Sequence, residues 1–127
     1  MPLANRMGRA RILLVEDDAV LARSFSRVLS TYLDVRHAAT LGEALEALAA
    51  EEKLEVVWSD LHLERPNDGV EVLLAASRGH PEALLLLVTG SVDDIGVDRL
   101  PRGVVVVQKS QSQDATDLVL RRFRRPD

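Results

Sequence analysis

The sequence predicts an α/β protein, a (βα)5 unit around a five-stranded parallel sheet, and three observations predict it. Short runs of Val, Ile and Leu alternate with longer stretches of helical periodicity, as strand–helix repeats require. The third to fifth runs are continuous rather than alternating, which fits strands covered on both faces and hence parallel. At 127 residues the chain has the length of one domain with a core of its own.

The elements follow in order. Ile12-Leu13-Leu14-Val15 is the first strand and runs into Glu16, Asp17 and Asp18. Asp18 stands where an N-cap belongs, and Leu21, Phe25, Val28 and Leu29 stripe the helix after it. Residues 33–38 alternate as a second strand. Thr40-Leu41-Gly42-Glu43 is a capping-box pattern opening a helix with Leu41, Ala44, Leu45 and Leu48 inward. The third strand, 54–59, ends at Asp60, and a loop over 61–68 leads to a helix carrying Val70, Leu73 and Leu74. Gly79 and Pro81 stop that helix, and His80 between them reads as a surface residue, like His37. The fourth strand, 83–89, ends at Thr89. Residues 90–103 contain three glycines and Pro101, so the fourth helix is expected to be short or irregular. The fifth strand, 104–108, reaches Lys109, and a last helix over 114–124 turns Ala115, Leu118 and Val119 inward. Residues 1–10 are expected to form a flexible N-terminal segment, and 11–127 the folded domain.

Composition narrows the function. Zero cysteines exclude a disulfide scaffold and a thiolate metal site, and suit a reducing compartment such as the cytoplasm. No apolar run approaches the roughly 20 residues of a membrane span. Seven arginines sit near the two ends, while residues 12–120 carry 19 acids against 9 bases. That acidic body repels nucleic acid, so no DNA partner is expected. Neither a phosphate-loop nor a GxGxxG pattern occurs, and so nothing points to a nucleotide site.

Ligands of open parallel sheets bind outside the carboxyl ends of the strands. There the chain gathers Glu16, Asp17, Asp60, Thr89 and Lys109. Two carboxylates about 4 Å apart cost on the order of 4 kcal/mol at an effective dielectric near 20. Such a cluster is tolerable if one acid is protonated or if a cation sits among them. Hard oxygen donors suit Mg²⁺, which takes one or two carboxylates plus phosphate oxygens. Lys109 can hold a further oxygen of the same anion, and the Thr89 hydroxyl can donate to it. Singly, each residue is ordinary at a strand end; their joint placement carries the inference. Trp58 reads as core packing close to Asp60.

These pieces together resemble the receiver domain of two-component response regulators. The resemblance rests on residues 12–18, on 56–60 with Asp68-Gly69 downstream, on Val88-Thr89-Gly90 and on Val107-Gln108-Lys109. It implies a flavodoxin-like three-layer fold with strand order 2-1-3-4-5. It further implies that Asp60 is the phosphoacceptor, loaded by a sensor histidine kinase or histidine phosphotransfer protein. Glu16, Asp17, Asp60 and the backbone carbonyl of His62 would hold Mg²⁺, and Thr89 and Lys109 would contact the phosphoryl oxygens. The expected protein is a stand-alone receiver signalling to a downstream protein target, not a dedicated enzyme beyond self-dephosphorylation, with homodimerisation left open.

The chain also departs from the family pattern. Where the family carries Tyr or Phe three residues before the lysine there is Val106, so the aromatic switch is absent. Ser110 replaces the usual cis-proline after the lysine, and the Lys109–Ser110 bond is expected to be trans. The segment after Asp60 is one residue longer, with Pro66 displaced. An alternative reading is therefore a receiver-fold interaction module that no longer switches on phosphorylation. A phosphohydrolase would need an acid two residues after its aspartyl nucleophile, where this chain has His62.

Overall fold

The computed structural model describes residues 8–96 and 99–123. Along the chain run β1 (Arg11–Val15), α1 (Ala19–Leu29), β2 (Asp34–Ala38), α2 (Leu41–Ala50), β3 (Val56–Ser59), α3 (Asp68–Gly79) and β4 (Leu84–Thr89). A 3-10 turn (Val92–Asp94), β5 (Val105–Gln108), a second 3-10 turn (Lys109–Gln111) and α4 (Ser112–Phe123) complete it. All strand pairs are parallel and the order is β2-β1-β3-β4-β5, as expected.

Alternation along each strand splits the core in two. Leu13, Val15, Val57, Leu85 and Leu87 face α2 and α3, where Ala44, Ala47, Val70, Leu73 and Ala76 are buried. Ile12, Leu14, Val56, Trp58, Leu86 and Val88 face α1 and α4, meeting Phe25, Leu29, Ala115 and Val119. Trp58 is 1% exposed and packs against Phe25 with the rings tilted by 45° and their centroids 5.0 Å apart, confirming it as core. Two stripe positions differ from the sequence reading. Val28 and Leu45 are exposed, while Ala22 and Ala47 are buried in their helices, because the short alanines let the helices lie close to the sheet.

Local signals set the helix starts. Asp18 caps α1, its Oδ1 accepting from the amides of Val20 and Leu21 at 2.9 and 3.1 Å. Thr40 Oγ1 accepts from the Glu43 amide at 3.1 Å, and Glu43 reaches back to the amide of Ala39 at 2.7 Å, one residue before the cap. His80 is a correction: it is buried, not a surface residue. Its Nδ1 accepts from the Leu54 amide at 3.2 Å and its Nε2 donates to the Leu48 carbonyl at 2.9 Å. The imidazole thus satisfies two backbone groups between the end of α2 and the approach to β3.

Of the segment expected to be flexible, residues 1–7 lie outside the described residues, while Arg9 donates to the Ser30 carbonyl at 3.1 Å. The weak stretch between β4 and β5 holds a 3-10 turn and no α-helix among the described residues. No peptide bond among them is cis, so Lys109–Ser110 is trans as expected. No described helix is long and apolar enough to cross a membrane.

Candidate functional site

Val15 pairs with Ser59 across β1 and β3, so Glu16 and Asp60 leave the sheet side by side. Backbone bonds continue the ladder past the strand ends: Asp60 N donates to Val15 O and Glu16 N to Ala38 O, each at 3.0 Å. Both acids are buried, Glu16 at 1% exposure. Asp17, between them and the solvent, is exposed. One carboxylate oxygen from each of Glu16, Asp17 and Asp60 converges, all within 4.8 Å of one another.

Lys109 enters from the end of β5, spanning β4 with its long stem. Its Nζ lies 2.7 Å from Asp60 Oδ2 and 2.8 Å from Glu16 Oε1, so one ammonium bridges both acids. The bridge is unequal. Burial pushes the Glu16 carboxyl above its ordinary range, and the bonds from Lys109 and the Asp18 amide only partly offset this. Burial alone would lower the pKa of Lys109, but its bonds to Asp60 and Glu16 outweigh it and the net shift is upward. The ammonium therefore stays charged.

The second Asp60 oxygen, Oδ1, accepts from the Leu61 amide at 2.7 Å, which fixes the carboxylate plane. The Asp60 main-chain carbonyl accepts from Ser59 Oγ at 2.8 Å. The Leu61 carbonyl takes the Gly69 amide at 2.8 Å, tying the first turn of α3 against the site. A Cβ at Gly69 would stand 1.9 Å from the Asp60 carbonyl oxygen, so only glycine fits. Sequence reading placed Gly69 in the family pattern without finding this reason. A glycine one residue inside a helix start was the available signal.

Thr89 is buried at the end of β4, and its Oγ1 accepts from the Ser91 amide at 3.0 Å. The hydroxyl proton remains available to a ligand oxygen. His62 lies at the mouth. Its Nδ1 accepts from the Asn67 amide at 3.0 Å, which leaves the proton on Nε2, 3.4 Å from Asp94 Oδ2. Asn67 itself takes the left-handed conformation, φ 67°, where the longer loop turns into α3. The structure thus brings together Glu16, Asp17, Asp60 and Lys109, and sets Thr89 at the same end of the sheet. Asp18 serves as a cap, as read.

No protein-family model matches the chain, and no curated protein matches it. Solved structures do. The signal receiver domain of an HD domain-containing protein from Pseudomonas fluorescens is 26% identical, with a TM-score of 0.76 over 91% of this chain and 94% of that one. A response regulator receiver protein from Sinorhizobium medicae gives a TM-score of 0.73 at 19% identity, covering 89% of this chain and 95% of that one. A Burkholderia pseudomallei response regulator, crystallised with a phosphorylated aspartic acid, a calcium ion and citrate, gives 0.66 at 23% identity. It covers 89% of this chain and 69% of that one. The chain thus has the fold of response-regulator receiver domains.

Proposed function

We propose that this domain accepts a phosphoryl group on Asp60 from a histidine kinase or phosphotransfer protein in the cytoplasm, and passes the signal to a protein target. The observation that carries the reading is Lys109 Nζ at 2.7 Å from Asp60 Oδ2, inside a converging set of three acids. In the step, an Asp60 carboxylate oxygen attacks phosphorus in line, a P–O bond forms, and the P–N bond to the donor imidazole breaks with its electron pair returning to nitrogen. Such transfer is mostly positioning and charge neutralisation. Leu61 N orients the nucleophile, Lys109 balances charge on the incoming group, and Thr89 donates its free proton to a phosphoryl oxygen.

Glu16, Asp17 and Asp60 offer only hard oxygens, a donor set that fits Mg²⁺, and the His62 carbonyl would complete it. Bound there, the ion supplies positive charge against the roughly −1.5 to −2 charges of the phosphoryl group. Asp60 turns over no substrate beyond its own dephosphorylation, so the domain is no dedicated enzyme. The similar Burkholderia structure, with its phosphorylated aspartic acid, supports the reading.

Val106, 40% exposed where the aromatic switch would stand, favours a second reading, an interaction module that binds without switching. Titration with beryllofluoride and Mg²⁺, read by Trp58 fluorescence and amide NMR, separates the two. Wild type should respond and Asp60→Asn should not. A folded wild type that stays silent, and gains no phosphoryl mass from a small phosphodonor, would refute phosphoacceptance. Phosphoryl gain without spectral change would select the second reading.

A further inference from the structure

Between α1 and the β2 edge of the sheet runs an open groove of about 520 Å³. Arg23, Ser26, Arg27 and Ser30 line it from α1, and His37 lines it from β2. The His37 ring is held there by its Nε2, which donates to the Glu16 carbonyl at 2.7 Å. Among the described residues no carboxylate lines the groove. In a body with 19 acids against 9 bases over residues 12–120 that is unexpected, and the cause is α1 itself. It is the one α-helix among the described residues without Asp or Glu. The groove at the amino end of the sheet is the contrast: there Lys53 and Arg122 stand among Glu52, Glu55 and Glu82, which offset their charge.

The donors of the α1 groove are also unused. Among the described residues Arg23 and Arg27 have no ion-pair partner, and the hydroxyls of Ser26 and Ser30 have no hydrogen-bond partner. Other helical hydroxyls bond their own backbone: Ser77 donates to the Leu74 carbonyl at 2.8 Å and Thr116 to that of Ser112 at 3.2 Å. Arg27 stands in the last turn of α1, where the helix dipole favours positive charge, but Arg23 is in mid-helix and gains nothing from it. Four positions apart on one face, the two guanidiniums also repel each other. The sequence repeats Arg-x-x-Ser at 23–26 and again at 27–30, so each guanidinium has a hydroxyl beside it. The two pairs are four residues, about 6 Å, apart along the helix axis. Each offers a planar fork of N–H donors and a separate O–H, which suits the tetrahedral oxygens of a phosphate better than the two coplanar oxygens of a carboxylate.

We propose that the α1–β2 groove binds a small ligand carrying two phosphate groups about 6 Å apart, one seated on each Arg-Ser pair. Exposed Asp17 and Asp18, just before α1, repel the continuation of a longer polyanion and so select a short one. The groove lies at the edge of the sheet away from β5, and the proposal is independent of phosphoryl transfer to Asp60.

Titration of the full chain with inorganic tripolyphosphate in metal-free buffer, followed by calorimetry and amide NMR, tests it. Wild type should bind one equivalent, with amide shifts centred on residues 22–30 and His37 and an affinity that falls as salt rises. Arg23→Gln and Arg27→Gln should each weaken binding about tenfold and Ser26→Ala about fivefold, while Asp60→Asn should leave it unchanged. Both arginines are exposed, so their variants should keep the wild-type circular dichroism. Replacing Arg121 and Arg122 together by Gln removes two charges elsewhere and should change affinity by no more than about twofold. Absence of saturable binding overturns the proposal. So does equal weakening by the Arg121 and Arg122 replacement, which marks general charge attraction, and so does loss of binding in Asp60→Asn, which puts the ligand in the acidic site. Inorganic phosphate bound as tightly as tripolyphosphate overturns the two-seat arrangement.

Discussion

The centre of the sheet and its β5 flank are built to different standards. At β1 and β3 every strand residue from Ile12 to Val15 and from Val56 to Ser59 is buried, and the acids that follow are locked by backbone bonds. At β5 the four strand residues are exposed or half-buried, and the connection before them supplies little cover. Val107 packs against the central core, and Lys109 reaches from the open strand into the buried acids. The difference teaches that the Asp60 carboxylate is positioned by the core, whereas β5 is a weakly packed element.

The largest effect should come from the rigid side. Gly69→Ala would put a Cβ 1.9 Å from the Asp60 carbonyl oxygen, forcing backbone apart, and should cost on the order of 3 kcal/mol in urea unfolding. If the variant keeps wild-type stability, the centre is softer than its burial implies.

Lys109→Met tests the link between the regions. It leaves Glu16 and Asp60 facing each other without their shared ammonium. Breaking a fully buried pair costs about 3–5 kcal/mol, but the Lys109 side chain is 23% exposed, so about 1–2 kcal/mol is expected at neutral pH. The pH profile gives the sign. The folded Glu16 pKa lies above 4.5, so the native state holds its proton more tightly than the unfolded chain does. Stability of the variant should therefore rise as pH falls through that raised pKa, in unfolding curves collected across the acid range.

The β2 edge gives a smaller effect of opposite pH sense. Burial raises the pKa of Glu51, but bonds from Arg36 and Arg11 outweigh it and hold the folded value below 4.5. The contribution is present above 4.5 and lost as pH falls through the folded pKa. Glu51→Gln should cost about 1 kcal/mol at neutral pH, Arg36 being partly solvated, and nothing in acid, as read by thermal melts at both pH values.

The smallest effect belongs to the open flank. Val106→Thr should change stability by no more than about 0.5 kcal/mol, because its side chain already meets water. A loss of 2 kcal/mol or so would show that the flank is packed after all.

Much of the site was legible because its signals are local. Asp18 declares a cap by preceding a helical stripe, and Asp60 and Lys109 declare themselves by ending apolar runs. The Val28 and Leu45 stripes failed because periodicity gives a direction, not a depth. Which residue of a stripe is covered depends on how close the sheet lies. His80 was misread because the amide of Leu54 and the carbonyl of Leu48 that it satisfies come from other elements.

By itself, the sequence determined the strands, the caps, the order of chemistry-bearing residues and the thinness of the stretch before β5. Each of these is encoded in neighbours a few residues apart, through side-chain period and turn chemistry. Only the tertiary structure decided that one ammonium serves two acids, that Gly69 touches the Asp60 backbone, and that β5 stands open. Those depend on distances between residues up to 93 positions apart, Glu16 to Lys109, which come together only when separate elements pack.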